Sequence, residues 1–223
     1  IGAMIGPMIV TFALAFQYSY QCAFIMLAVP ALLALSVLIT ARVVYPHPHT
    51  LEPSFLVSRA AAFRSTFWLY LCAIGLIAAG FADYPLVAFH IKVNSLVSDM
   101  WIPLLYSVAM GVDALSALAF GRLYDKKGLP VLIVIAGISA WFAPFLFSSS
   151  IAAVAMGMVL WGMGLGAQES VIRAVVADLA PRDHRATGYG IFNAGFGVAW
   201  FAGSALMGVL YDRSIIALVV FSV

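Results

Sequence analysis

Apolar residues along the chain come in runs long enough to cross a bilayer as helices, about 20 residues each, with short polar breaks between them. The runs predict helical spans at residues 1–16, 22–41, 67–91, 102–121, 130–147, 151–176 and 187–210, and an eighth that begins at 215. The first and last are short of a full crossing. With Ile1 at one end and Val223 at the other, the sequence is expected to be a piece of a longer chain. Gln17 to Gln21 form the first polar break. The longest polar connection, 42–66, holds Pro46, Pro48 and Pro53 with His47, His49, Glu52, Arg59 and Arg64. It is expected to link two helix bundles, with Ser54 to Arg64 as a candidate short surface helix.

Composition agrees with the pattern. Of 223 residues, 65% are hydrophobic and 9% charged, against about 25% charged in a soluble domain. The fold class expected is all-α, a polytopic helical membrane protein whose first partner is the lipid bilayer. A net charge of +2 with no basic, aromatic-interleaved patch gives no reason to expect a nucleic-acid partner. Cys22 and Cys72 fall inside apolar runs and are expected to be buried thiols, not a disulfide or metal site.

The cationic side chains sort between alternate connections. Arg42, Arg59, Arg64, Arg122, Lys126, Lys127, Arg182 and Arg185 lie on one side, and only Lys92 and Arg213 on the other. The positive-inside tendency then puts the linker and the loops after 121 and 176 in the cytoplasm, with the break at 17–21 and the loops near 95, 149 and 212 outside. A plasma or inner membrane is the expected location. Gly121-Arg-Leu-Tyr-Asp125 recurs as Gly208-Val-Leu-Tyr-Asp212. That is either an inverted repeat of 67–147 against 151–223 or a chance match in an apolar sequence.

Gly121-x-x-x-Asp125-Lys126-x-Gly128 resembles the signature loop of the major facilitator superfamily, departing from it at Leu129-Pro130. Asp178 to Arg185 is similar to the acid-x6-Arg motif that follows the tenth helix of sugar-porter-like members, with Asp in place of Glu. The resemblance implies twelve helices in two bundles around a midplane cavity, worked by alternating access. Residues 1–41 would be the last two helices of the N-terminal bundle and 42–66 the interdomain linker. Residues 67–223 would be the C-terminal six-helix bundle, its last helix incomplete. The missing N-terminal helices of the same chain would complete the cavity.

Several polar residues fall inside the spans, where charge is expensive and marks function or a buried partner. Gly162, Gly166, Glu169 and Arg173 read as one helical stripe, with Gln168 beside it. The stripe is either a cavity face with Glu169 on substrate or proton, or a self-neutralising pair with glycines for helix packing. Gly80, Asp83, Val87 and His90 form a second stripe, and Pro85 interrupts the helix next to Asp83. Such a carboxylate is a candidate coupling-ion or substrate site, or a partner for freed backbone. Lone His90 reads as a relay or, more simply, an interfacial residue. Asn193 and Trp200, on the 187–210 span, are further cavity candidates. Asp113 lies at a depth similar to Glu169, so Arg173 is expected to pair with one of the two acids. Gly195, Ala199 and Gly203 read as a packing ridge. At the cytoplasmic end, Gly121, Arg122, Asp125, Lys126, Gly128, Asp178, Arg182 and Arg185 are candidate gate residues, or their charges are simple positive-inside anchors.

No nucleophile–base, zinc or phosphate-binding motif is visible, so neither an enzyme nor a cofactor is expected, and His47-Pro-His49 reads as plain linker. The reading is a secondary transporter of a small solute, with protons as candidate coupling ion through Asp83 or Glu169. The alternative is a non-transporting membrane receptor or scaffold on the same helices.

Overall fold

The computed structural model describes residues 2–45, 63–181 and 184–223, and every regular element among them is helical. Helix α1 (Gly2–Ala15) turns tightly into α2 (Tyr20–Val44), which Ser19 caps by accepting the Cys22 N–H at 3.4 Å. The next span is split into α3 (Ser65–Gly80) and α4 (Tyr84–Val93). There follow α5 (Trp101–Lys127), then α6 (Pro130–Ser139) and the short α7 (Phe142–Leu146). Helix α8 (Ile151–Ala167) widens into a π turn at Gln168–Ile172 and continues as α9 (Arg173–Leu179). The long α10 (Arg185–Arg213) and α11 (Ile215–Ser222) close the order.

All eight apolar runs are thus helical. Among the described residues, five stretches are long and apolar enough to cross a membrane: 20–44, 65–93, 101–127, 151–179 and 185–213. Several boundaries differ from expectation. Helix α5 runs on to Lys127, so Gly121, Arg122, Asp125 and Lys126 are helical, not loop. Nothing between Gly121 and Gly128 breaks a helix. Gly128 does, at φ 69°, a region glycine enters freely. The related Gly208–Asp212 segment is likewise helical, inside α10. The 130–147 span is interrupted near Ala140, because the Pro144 ring lacks an N–H for the Ala140 carbonyl and crowds it. Both ends of the expected 42–66 linker are taken up by helix: α2 reaches Val44 and α3 begins at Ser65. Its middle, with the candidate surface helix up to residue 62, lies outside the described residues.

Close approach of backbones organises the bundle, as expected where lipid supplies no hydrophobic drive between helices. Helix α8 is the central strut. A Cβ on Gly162 or Gly166 would overlap the Ala109 or Asp113 backbone of α5, so those two helices touch main chain to main chain. On the other side α10 lies on α3. There Gly195 faces Leu71, Ala199 faces Gly75, and Gly203 leaves no room for a Cβ against Ala79. The pair α1–α2 joins through α1, which packs on α5, with Met4 Sδ 3.6 Å from where a Gly111 Cβ would stand. Helix α2 stays largely uncovered. Contrary to expectation, Cys22 and Cys72 are both exposed and both free. A thiol is apolar enough to sit on a lipid-facing surface.

Candidate functional site

The interruption between α3 and α4 is the most elaborated polar point in the bundle. Residues 81–83 leave the helix, and Asp83 precedes α4 in extended conformation (φ −75°, ψ 143°). Pro85 lies in the first turn of α4, where its missing N–H costs nothing. The break therefore falls before the proline. Freed groups are met one by one. Ser222 Oγ donates to the Gly80 carbonyl at 2.5 Å, and the Trp161 indole N–H donates to the Ala82 carbonyl at 2.8 Å. The Asp83 carboxylate does not cap α4. Its Oδ1 accepts the Trp200 indole N–H, and its Oδ2 accepts the Ser204 hydroxyl at 2.5 Å. Asp83 thus ties the break to α10, a partner sequence reasoning missed. The signal was present, since Trp200 and Ser204 stand four apart on one helix face.

His90 is not placed as a substrate residue. It is 2% exposed, and Nε2 lies 3.2 Å from the Ser148 carbonyl. A carbonyl only accepts, so Nε2 carries hydrogen. Nδ1 is 2.9 Å from the Tyr211 hydroxyl and 3.2 Å from the Asn94 amide nitrogen. The ring also meets Phe147 edge-on. His90 fastens α4 to α10 and to the loop before α8. The helix break also means that Gly80, Asp83, Val87 and His90 do not share one continuous stripe.

A separate polar surface lies on α5, α8–α9 and α10. The π turn takes an extra residue, so the face holding Gly162 and Gly166 does not continue into Glu169. The glycines are buried on α5, whereas Glu169 and Arg173 are exposed. This supports the packing reading for the glycines and separates them from the charges. Asp113 is half-buried, and Asp113, Tyr106 and Glu169 lie within electrostatic reach of one another. The expected pairing of Arg173 is not made in this arrangement, for neither acid comes within 4.0 Å of its guanidinium. Asp113 Oδ1 is buried without a hydrogen-bond partner. The Tyr189 hydroxyl donates to the Arg173 carbonyl at 2.9 Å, and one turn on, exposed Asn193 comes to the level of Glu169.

Gln168 turns away from this surface. It is 8% exposed, with Oε1 unpaired, and it lines a cavity of about 250 Å³ between α3, α6, α8 and α11. Ser139, Ser222 and Val223 belong to the same wall.

At the end of the bundle that carries most of the basic residues, Asp178 accepts the Tyr124 hydroxyl at 3.0 Å, which joins α9 to α5. Arg122, Asp125, Lys126 and Arg185 are exposed, and Arg185 opens α10. No ion pair links Asp178 to Arg185 here. Arg182 lies outside the described residues.

A polytopic helical membrane protein with ionisable groups inside its apolar spans is the class that this fold and site define. The sequence model of the Major Facilitator Superfamily matches residues 1–204, and the chain belongs to that family of membrane transporters. An uncharacterized protein of Mycobacterium tuberculosis and one of Mycobacterium bovis are each 37% identical to it over 227 residues. The alignment covers 99% of this chain and 56% of each relative, so the chain spans little more than half their length. No solved structure matches the chain.

Proposed function

We propose that the chain is part of a secondary transporter that carries a small solute across the membrane by alternating access. The observation that carries this reading is the exposure of Glu169, Arg173 and Asn193 within apolar spans, beside half-buried Asp113. Unpaired charge on a lipid-facing surface is disfavoured by roughly 2.5–3.5 kcal/mol per residue on insertion scales. Such a surface fits a water-lined path. The helices that close it on the far side belong to the other bundle, of which α1 and α2 are the part in hand.

In this reading the solute contacts Glu169, Arg173 and Asn193, and Asp113 with Glu169 forms the candidate proton site. Asp83 moves from that role to the helix break, where Trp200 and Ser204 occupy both its oxygens. Gln168 and His90 leave the solute site as well. The cytoplasmic residues Arg122, Asp125, Lys126, Asp178 and Arg185 keep the role of gate charges, exchanging partners between states.

The test is solute uptake by the full-length protein in proteoliposomes, screened over sugars, amino acids, organic anions and cationic drugs. Uptake should be lost in Glu169→Gln and should collapse with an uncoupler if protons drive it. Uptake that Glu169→Gln, Arg173→Ala and Asn193→Ala all leave untouched would remove this surface from the path.

A further inference from the structure

At the end of the bundle that the charge pattern places outside, the two halves of the chain touch through one carboxylate. Asp99, between α4 and α5, receives Lys92 Nζ at 3.0 Å and the Tyr20 hydroxyl at 3.4 Å, both on Oδ2. Lys92 and Asp99 form the one ion pair within 4.0 Å among the described residues. They lie on the α3–α11 side. Tyr20 opens α2, on the other.

The backbone on both sides of this contact is held in a conformation that side chains disfavour. Gln17 (φ 60°) and Ser95 (φ 50°) are the two non-glycine residues with positive φ among those described. Each ends a helix with a bond reaching five residues back. Tyr18 N–H goes to the Ala13 carbonyl at 3.0 Å, and Leu96 N–H to the Ile91 carbonyl at 3.1 Å. One turn presents Tyr20 and the other presents Asp99. Non-glycine residues in such regions persist where surrounding structure over-determines them, and they gather at switch segments. Below the contact, α1 continues against α5 down to Met4 and Gly111. The seam between the two sides is therefore packed along the first part of α5 and fastened at its outer end.

We propose that Asp99 is the catch of an outer latch: set in place by Lys92, it holds Tyr20 and keeps the path closed to the outside. Releasing Tyr20 lets α1–α2 swing from α5 and opens that end. The components are exposed, and such contacts are individually weak. A contact that must break in every cycle has to be weak, because it can only bias two states of similar free energy. The proposal rests on the alternating-access reading above.

The experiment uses the full-length protein with Cys22 and Cys72 changed to Ser, since Cys22 is exposed two residues from Tyr20. Tyr20→Cys and Asp99→Cys are introduced together and bridged by a reducible bis-methanethiosulfonate linker of about 10 Å, because the Tyr20 ring holds the two backbones beyond the reach of a direct disulfide. A third change, Asn193→Cys, reports access to the path. Its labelling by a membrane-impermeant maleimide, applied from either side, is read by peptide mass. The latch predicts that the cross-link forms and lowers labelling from outside at least ten-fold. Labelling from the cytoplasmic side persists, and reduction restores the rest. Asp99→Asn without a cross-link raises labelling from outside. No cross-link, or one that leaves outside labelling unchanged, overturns the latch. Solute uptake by the unmutated parent, measured in parallel, tests the transporter reading separately. Absent uptake with an intact labelling shift would sink that reading and leave the latch standing.

Discussion

Trp200 on α10 donates its indole N–H to the Asp83 carboxylate at the break between α3 and α4, and Ser204, one turn on, takes the other oxygen. Hydrogen bonds to a charged group contribute about 1.5–3 kcal/mol each. Asp83→Ala should therefore lower stability by about 2–4 kcal/mol, and Trp200→Phe by about 1–2 kcal/mol. A double-mutant cycle on unfolding in detergent should return a coupling above about 1 kcal/mol, within the usual ~0.5–3 range. Additive losses would mean that the two side chains do not act on each other.

His90 offers a second contrast between holding and transporting. His90→Ala strands the Ser148 carbonyl and the Tyr211 hydroxyl in a buried site and should cost about 2–4 kcal/mol. Solute KM and the pH profile of uptake should stay at the parent values in whatever protein remains folded. A displaced pH profile would return His90 to the proton path.

The glycines divide by what faces them. Gly203→Ala places a Cβ on the Ala79 backbone, and Gly166→Ala places one on that of Asp113. Each should cost at least about 1–3 kcal/mol, because neither helix can withdraw without parting from its neighbour. Gly197 has nothing within 4 Å, so Gly197→Ala should stabilise α10 by roughly 0.5–1 kcal/mol. Thermal unfolding of the three variants measures the difference. A common sign for all three would contradict the packing described here.

The two left-handed turns predict gains. Gln17→Gly and Ser95→Gly remove the Cβ that opposes positive φ and should each raise stability by about 0.5–1 kcal/mol. The measurement is the unfolding midpoint of each single variant. A loss at either position would show that the side chain itself holds its turn.

Legibility in the sequence followed the range of the physics involved. Every apolar run became a helix, because bilayer thickness and backbone hydrogen bonding act locally on about 20 residues at a time. The Gly195–Ala199–Gly203 ridge was readable for the same reason, as helical periodicity puts small residues on one line. Pro85 announced a break near Asp83, whereas the interruption of the 130–147 span before Pro144 was not expected. Glu169 and Arg173 were visible as charges in an apolar run. Their separation from Gly162 and Gly166 was not, because a π turn shifts the helical frame without any residue type that spells it.

Partner choice was the part that stayed hidden. The sequence by itself determined the medium, the helices and the family to which its motifs pointed, all set by local composition and spacing. Only the tertiary structure decided what each polar group meets. Asp83 reaches α10, His90 is sealed under Tyr211, Asp178 takes Tyr124, and Asp99 takes Tyr20 from across the chain. Those pairings span 54 to 121 residues. They depend on how helices rotate and approach, which close contacts at a few glycines fix and no local pattern encodes.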